Sequence, residues 1–198
     1  MAYQPTPHGV REFWKYMTGE YRSEIVQKDD SALMSIAGSF LDMTSIVDKD
    51  RFMAGFVTTI GRTIYIPFEI GVATEQFSLW GQVRVCAHEH VHIDQGDRDG
   101  WLTYGAKYLG SRTSRAVYEA EAYGCDMEME HWRNPENFDP RRYAAQRAKS
   151  IKSYGCNDSH VDTIRRILEI RASIISLRGC YETRAAQRST TWLDAKPV

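Results

Sequence analysis

The stretch VCAHEHVHIDQ, residues 85–95, contains three histidines within five positions and a glutamate directly after the first of them. An α-helix turns by about 100° per residue, so His88 and His92 lie one turn apart on the same side. His90 points to a different side of the helix, and we exclude it from a shared site. His88, Glu89 and His92 fit the pattern H-E-x-x-H, in which two imidazoles bind one metal ion and the glutamate reaches a water on that ion.

The motif lies in a helix that the sequence predicts from about Phe77 to Gln95. We expect this helix to stop at Gly96, because glycine suits the left-handed position that follows many helices. Both histidines and the glutamate are then held on a regular helix rather than on a loop.

Residues 52–71 precede this helix, and their sequence pattern predicts a β-hairpin. They are rich in β-branched and aromatic residues, with Gly61 and Arg62 between two strand-like runs, and a two-residue turn that begins with glycine is typical of a hairpin. The second run, TIYIPFEI at 63–70, contains Pro67. Proline cannot donate a hydrogen bond to a neighbouring strand, so we predict that this strand lies at the edge of the sheet.

The rest of the chain is predicted to be mostly helical and to form an α+β fold in one domain. Residues 181–198 are predicted to be a polar C-terminal tail after a domain that spans residues 1–180. The other segments with helical periodicity are 9–26, 31–43, 101–110, 112–132, 139–154 and 159–178.

A second carboxylate-rich helix follows the motif and contains RAVYEAEAYGCD, residues 115–126. Catalytic zinc sites commonly use three protein ligands and leave a fourth position for water. A carboxylate from this helix is a candidate for the third ligand. The alternative for Glu119 and Glu121 is a solvated acidic face, since Glu128 and Glu130 follow in the same helix.

The combination of HEHVHIDQ with YEAEAY resembles the gluzincin branch of the zincin metallopeptidases, over roughly residues 60–126. The resemblance implies a zincin-like domain that binds Zn²⁺ through His88, His92 and Glu119 and hydrolyses a peptide or protein substrate. It also implies that Glu89 is the catalytic general base and that TIYIPFEI is the edge strand along which substrate lies. Glu121 is the less favoured third ligand, because it lies two residues further round the helix than Glu119.

One departure from the gluzincin pattern concerns the residue that orients a zinc-binding histidine. Many gluzincins have an aspartate four residues after the ligand glutamate, and Tyr123 occupies that place here. Asp126, further along the same helix, is a candidate substitute.

The candidates for stabilising the oxyanion of a peptidase reaction are Tyr104, Tyr118, Tyr123, His131 and His160.

Two other functions remain open from the sequence. The first is a zincin-fold structural or assembly protein, such as a phage virion component, with the metal site structural or inactive. The second is a pH-sensing histidine cluster, because histidine titrates near neutral pH. A sensor would not account for Glu89 and Glu119 at the positions that a zinc hydrolase needs.

Composition and charge limit the classes of partner and the cellular compartment that we expect. The net charge of −1 gives no reason to expect nucleic acid, although residues 141–198 carry 12 Lys and Arg against 5 Asp and Glu. We expect this basic end to pack on the acidic remainder, the alternative being an anionic partner. With no apparent signal peptide or membrane span, we expect a cytoplasmic or virion-associated protein with reduced, buried thiols at Cys86, Cys125, Cys156 and Cys180.

Overall fold

The computed structural model of the protein describes residues 3–31, 53–179 and 181–196. These residues form mostly α-helices with a small three-stranded sheet, which confirms the α+β prediction. Residues 32–43 of the predicted helix 31–43 lie outside the described residues. The elements in chain order are α1 (Pro7–Tyr21), β1 (Glu24–Gln27), β2 (Thr58–Ile60), β3 (Thr63–Ile66), α2 (Leu79–Asp99), α3 (Trp101–Gly110), α4 (Arg112–Arg133), α5 (Pro140–Ala148), a 3₁₀ helix (Lys149–Tyr154), α6 (Asp158–Arg178) and α7 (Arg184–Asp194).

Helix α1 is shorter than its hydrophobic periodicity predicts. The side chain of Thr6 caps its first turn by accepting a hydrogen bond from the Gly9 amide at 3.0 Å. The helix ends where Arg22 takes a left-handed conformation, with φ 49° and ψ 45°. The chain then reverses into β1, so residues 24–26, predicted as helix, form a strand that pairs with β3.

The predicted hairpin is confirmed, but the predicted position of its second strand is wrong. β2 pairs antiparallel with β3 through the turn at Gly61, whose φ is +60°. β1 pairs parallel with the other side of β3, so the sheet order is β1-β3-β2 and β3 is central. Pro67 follows Ile66, the last residue of β3, and its missing N–H therefore removes no bond from the sheet. Among the described strands, β2 is the one at the edge of the sheet beside the motif helix.

Helix α2 continues past the predicted stop at Gly96 and ends at Asp99, before Gly100. Gly96 has a packing role: a Cβ atom added there would overlap the ring of Trp101. The absence of a side chain lets the first residue of α3 pack directly on α2. Gly100, with φ +81°, supplies the positive-φ turn between the two helices.

The core consists of two hydrophobic clusters on either side of α2 and α4. The first is formed by α1, the sheet, α2, part of α4 and α7, and the second by α4, α5, the 3₁₀ helix and α6. Because α2 and α4 lie between other elements, most of their side chains are buried, including polar ones. The largest fully buried side chains include Trp14, Phe13, Met17, Ile64, Ile66, Ile93, Met127, Met129, Ile151 and Ile164.

The C-terminal residues fold onto the body instead of forming a polar tail. Thr183 caps α7, and Ala185, Ala186 and Leu193 belong to the first hydrophobic cluster. The apolar residues of α7 are few, but they lie on one face, which is why this polar sequence packs as a helix. Segment 139–154 is also divided, with an α-helix to Ala148 followed by the 3₁₀ helix.

The three described cysteines, Cys86, Cys125 and Cys156, are free and buried, as the sequence predicts. Cys180 lies outside the described residues. Among the described helices, none has the length and apolar character that crossing a membrane requires.

The packing of α3 on α2 predicts opposite effects for two glycine substitutions. Gly96→Ala should destabilise the protein by about 1–3 kcal/mol, because the new methyl group displaces the Trp101 ring. Gly105→Ala in α3 is the control, since a Cβ there meets nothing within 4 Å, and it should stabilise the helix by about 0.5–1 kcal/mol. Urea denaturation measures both changes, and equal effects at the two positions would contradict this role of Gly96.

Candidate metal centre

Helix α2 brings the two motif histidines together on one side. The helix starts at Ser78, whose side chain accepts a hydrogen bond from the Gly81 amide at 3.0 Å. Ten residues into the helix, His88 and His92 lie with their ring centroids 5.1 Å apart. Both rings are buried, with 7% and 5% of each residue exposed. The helix thus presents two imidazoles one turn apart in a water-poor region.

Helix α4 supplies the carboxylate that meets them. Glu119, which is 1% exposed, places Oε2 at 3.7 Å from His88 Nε2 and Oε1 at 3.7 Å from His92 Nε2. One ligand atom from each of these residues lies within 4.8 Å of the others. The structure therefore brings the three predicted metal ligands into one buried cluster, which could hold a metal ion.

The distances in this cluster suit a shared ion better than direct hydrogen bonds. Ligand atoms that each lie about 2.0–2.2 Å from one zinc-sized ion are at most about 4.3 Å apart, and the observed 3.7 Å fits that limit. A hydrogen bond between the same atoms would need about 2.7–3.2 Å. Glu119 Oε2 is also buried without a hydrogen-bond partner, as expected for an oxygen that binds a cation.

The contact with Gln95 determines which ring nitrogen of His92 carries the proton. The Gln95 amide nitrogen donates to the Tyr118 carbonyl at 2.9 Å, so its oxygen faces His92 Nδ1, also at 2.9 Å. Nδ1 must therefore carry the proton in this contact, which leaves the Nε2 lone pair directed towards Glu119. The Tyr104 hydroxyl lies 3.2 Å from the same Nδ1.

Asp126 determines which ring nitrogen of His88 carries the proton. This residue is the one named from the sequence as a candidate for orienting a metal-binding histidine. Its Oδ2 lies 3.3 Å from His88 Nδ1 and also accepts from Arg84 at 3.2 Å and Arg147 at 2.9 Å. Burial alone would raise the pKa of Asp126, but His88, Arg84 and Arg147 outweigh it and hold that pKa well below its usual range. An ionised Asp126 accepts the Nδ1 proton of His88, and the other ring nitrogen, Nε2, then faces Glu119.

Tyr123, which stands where many gluzincins have an orienting aspartate, packs against His88 instead of bonding to its Nδ1. The two ring centroids are 5.6 Å apart, and the Arg147 guanidinium lies 4.9 Å from the Tyr123 ring centroid. Asp126, and not Tyr123, is thus the residue that contacts His88 Nδ1, while the tyrosine covers one side of the imidazole.

Glu89 is buried, with 5% of the residue exposed, and its carboxylate accepts a hydrogen bond from strand β2. The Thr59 hydroxyl donates to Glu89 Oε2 at 2.7 Å. Lys28, fully buried after β1, also interacts electrostatically with this carboxylate: burial lowers the pKa of Lys28 to about 8, and Glu89 opposes the shift. Neither residue was predicted, because local sequence patterns do not show which residues of the sheet meet helix α2.

Glu121, the less favoured third ligand, is directed elsewhere. Its carboxylate pairs with Arg98 at 2.9 Å and accepts from Gln95 at 3.0 Å. A solvated acidic face is also excluded for the helix as a whole, since Glu119 and Glu128 are buried. Glu128 accepts hydrogen bonds from residues at the start of α7.

Of the five residues predicted as candidates for stabilising the oxyanion, only two contact the cluster. Tyr104 and Tyr123 contact the cluster, whereas Tyr118 donates to Asp99 at 2.6 Å on another side of α4. The other two candidates have structural contacts, His131 with the Tyr181 hydroxyl and His160 in the capping box of α6.

Two tyrosines that the sequence analysis did not select also lie near the cluster. Tyr108 donates a hydrogen bond to Glu119 Oε1, and Tyr154 interacts electrostatically with Glu119 and Glu89. Tyr108 shares a helix face with Tyr104, four residues apart, which was a usable signal. An aromatic face of this kind is equally typical of core packing, so the spacing alone does not identify Tyr108.

Comparisons with protein-family models, with curated proteins and with solved structures find no match to this chain. The resemblance to gluzincins therefore stays a prediction from the motif. The residues themselves and their geometry are the basis for a function.

The hydrogen bond from His88 predicts that Asp126 strengthens metal binding from outside the ligand set. Asp126→Asn should weaken zinc binding about 10–100-fold, as expected when the orienting partner of a histidine ligand is lost. Glu130→Gln is the control, because Glu130 pairs with Arg84 at 3.4 Å and should leave the zinc Kd unchanged. Competition with a chromophoric chelator measures both constants, and an unchanged Kd for Asp126→Asn would exclude this role.

Proposed function

We propose that this protein is a zinc-dependent peptide hydrolase whose metal ligands are His88, His92 and Glu119 and whose general base is Glu89. The observation that carries the proposal is the convergence of two oriented imidazoles on one buried carboxylate, whose Oε2 lies 3.7 Å from His88 Nε2 and whose Oε1 lies 3.7 Å from His92 Nε2. Two histidines and one glutamate are a known ligand set of catalytic zinc sites, in which a fourth position is kept for water. A zincin-like arrangement of the domain is part of this proposal.

Zinc is the proposed ion because of the chemistry of the donors. Imidazole nitrogens combined with one carboxylate oxygen suit zinc better than magnesium or calcium, which prefer oxygen ligands. A bound zinc ion would supply Lewis acidity, lowering the pKa of a coordinated water and polarising a substrate carbonyl.

In this proposal Glu89 would take a proton from that water and pass it to the leaving amine. It follows His88 directly in α2, so it can approach a ligand position without occupying one. Thr59 engages Oε2 of its carboxylate at 2.7 Å, and we assign the proton-accepting role to Oε1. Burial around the carboxylate also excludes bulk water, which strengthens electrostatic interactions in the site.

The edge strand β2 offers a surface for an extended peptide. Among the described residues, β2 pairs with β3 on one side only, and a peptide backbone can add to the other side by strand pairing. Thr59 belongs to this strand and contacts Glu89. A substrate aligned on β2 would therefore lie beside the general base.

The nearby phenols are suited to donate a hydrogen bond to the developing oxyanion. Burial raises the pKa of Tyr104 and of Tyr154, and the nearby Glu119 raises both further. Both hydroxyls are consequently protonated at neutral pH. The Tyr104 hydroxyl lies at His92 Nδ1, the ring nitrogen that faces away from the proposed ion. We therefore propose that Tyr154 is the donor that complements the metal.

The role of Glu89 predicts a separation of metal binding from activity. Glu89→Gln should retain one zinc ion per chain while hydrolysis of denatured casein falls about 10²–10⁴-fold, since the general base is lost. Metal content is measured by atomic emission and hydrolysis by the release of primary amines. Glu121→Gln, on the neighbouring helix, should retain both zinc and activity.

Two results would reject the hydrolase proposal. One is a wild-type protein that binds no added zinc, and the other is a Glu89→Gln variant as active as the wild type. A wild-type protein that holds zinc without hydrolysing peptides would instead favour the structural or assembly role.

The Thr59 contact predicts a change in turnover without a change in substrate binding. Thr59→Val should lower kcat about tenfold, corresponding to about 1.4 kcal/mol, because Glu89 loses a charge-assisted hydrogen bond. KM and zinc content should stay constant, because the β2 backbone and the three ligands are intact. Thr59→Ser keeps the hydroxyl and should recover most of the activity. Equal kcat values for the valine and serine variants would show that the hydroxyl has no such role.

A further inference from the structure

The two carboxylate oxygens of Glu119 have different surroundings. Oε1 accepts a hydrogen bond from the Tyr108 hydroxyl, whereas Oε2 is buried without a partner. Both oxygens face the histidines, with Oε1 at 3.7 Å from His92 Nε2 and Oε2 at the same distance from His88 Nε2. The position of the carboxylate would therefore allow both oxygens to bind one ion, and the hydrogen bond distinguishes them.

Tyr108 is fixed in place by a buried arginine on the same helix as Glu119. Arg115, one turn before Glu119 and 8% exposed, donates to the carbonyl of Tyr108 at 2.8 Å and to that of Leu109 at 2.9 Å. Its guanidinium also lies 5.6 Å from the Tyr108 ring centroid. The end of α3 is thus tied to α4, and the phenol is held against the carboxylate.

The same arginine extends to a third segment. It donates to the Tyr154 carbonyl at 2.7 Å, at the end of the 3₁₀ helix. Arg115 therefore holds the two chain segments that carry Tyr108 and Tyr154 next to Glu119. A charged side chain committed to three carbonyls in this way is a structural clamp around the ligand.

We propose that Tyr108 is a positioning residue that makes Glu119 a one-oxygen metal ligand and thereby keeps a coordination position open. The phenol engages one lone pair of Oε1 and holds this oxygen towards α3, so the unpartnered Oε2 is the oxygen that binds the ion. Without this bond, both oxygens can bind, and the second would occupy the position that an activated water needs. The inference rests on the metal centre of the proposed function but not on peptide hydrolysis.

Cobalt(II) is a suitable probe, because it substitutes for zinc and its visible absorption is strong in four-coordinate sites and weak at higher coordination numbers. The full-length wild-type protein loaded with Co²⁺ should show the strong bands of four-coordination. Tyr108→Phe, which removes only the hydroxyl, should still bind Co²⁺ and Zn²⁺, with a zinc Kd within about tenfold of the wild type. Its visible bands should lose at least half of their intensity.

The matched control is Tyr118→Phe, whose hydroxyl donates to Asp99 at 2.6 Å instead of to Glu119. This variant should keep the wild-type spectrum. A second variant, Arg115→Met, releases the Tyr108 carbonyl while leaving the phenol intact. It should change the spectrum in the same direction as Tyr108→Phe, and it provides the test should that variant fail to fold.

A wild-type spectrum in Tyr108→Phe, or in Arg115→Met where only the latter folds, would overturn the proposal. Complete loss of metal binding in Tyr108→Phe would also overturn it, because Tyr108 would then be a ligand itself. A wild-type protein that binds neither Co²⁺ nor Zn²⁺ would remove the metal centre and with it the hydrolase. Absence of peptide hydrolysis alone would reject the hydrolase while leaving the spectral result decisive for Tyr108.

Discussion

The site depends on the meeting of a buried carboxylate with two buried imidazoles where α2 crosses α4. An ionised Glu119 with an unpartnered oxygen would cost several kcal/mol in the protein interior unless a positive charge lies beside it. A protonated histidine could supply part of that charge, although neither imidazole forms a direct hydrogen bond with Glu119 at the observed 3.7 Å. A divalent cation between the three side chains satisfies the charge and the distances together. The burial of these groups is therefore itself a reason to infer a metal ion.

The orientation of each ligand is controlled by a different part of the chain. Asp126 on α4 holds His88, Gln95 on α2 holds His92, and Tyr108 on α3 holds Glu119. These contacts involve the atoms of each ligand that face away from the proposed ion or do not bind it. The site is consequently arranged by protein contacts alone, which reduces the conformational entropy that metal binding would otherwise remove.

The parts of the site that follow from helix geometry could be predicted from the sequence. A four-residue spacing places His88 and His92 on one side of any regular helix, and the phase difference between Glu119 and Glu121 holds for the same reason. These relations involve residues within one helix. The expectation that α2 and α4 bring their side chains to one site came from the resemblance to gluzincins.

Contacts between distant segments could not be predicted from local patterns. The aromatic spacing of α3 indicates a buried face, but the same spacing fits a hydrophobic core and a phenol bonded to a carboxylate. Pro67 favoured an edge position for β3 because proline lacks an N–H. The parallel partner β1 could not be recognised, because it lies in a segment with helical periodicity. Once β3 is central, β2 becomes the edge strand, and Thr59 rather than a residue of β3 contacts Glu89.

The acidic residues of α4 show why charge patterns alone leave function open. A run of glutamates along one helix usually indicates a solvated face, yet Glu119 and Glu128 are both buried here. Glu119 meets the histidines, whereas Glu128 accepts from the amides of Glu182 and Thr183 at the start of α7. One helix thus carries a carboxylate to the candidate metal centre and another to the anchor of the C-terminal helix. The packing of α7 and the position of Glu119 are therefore linked through α4, which makes residues 181–196 part of the structure that supports the site.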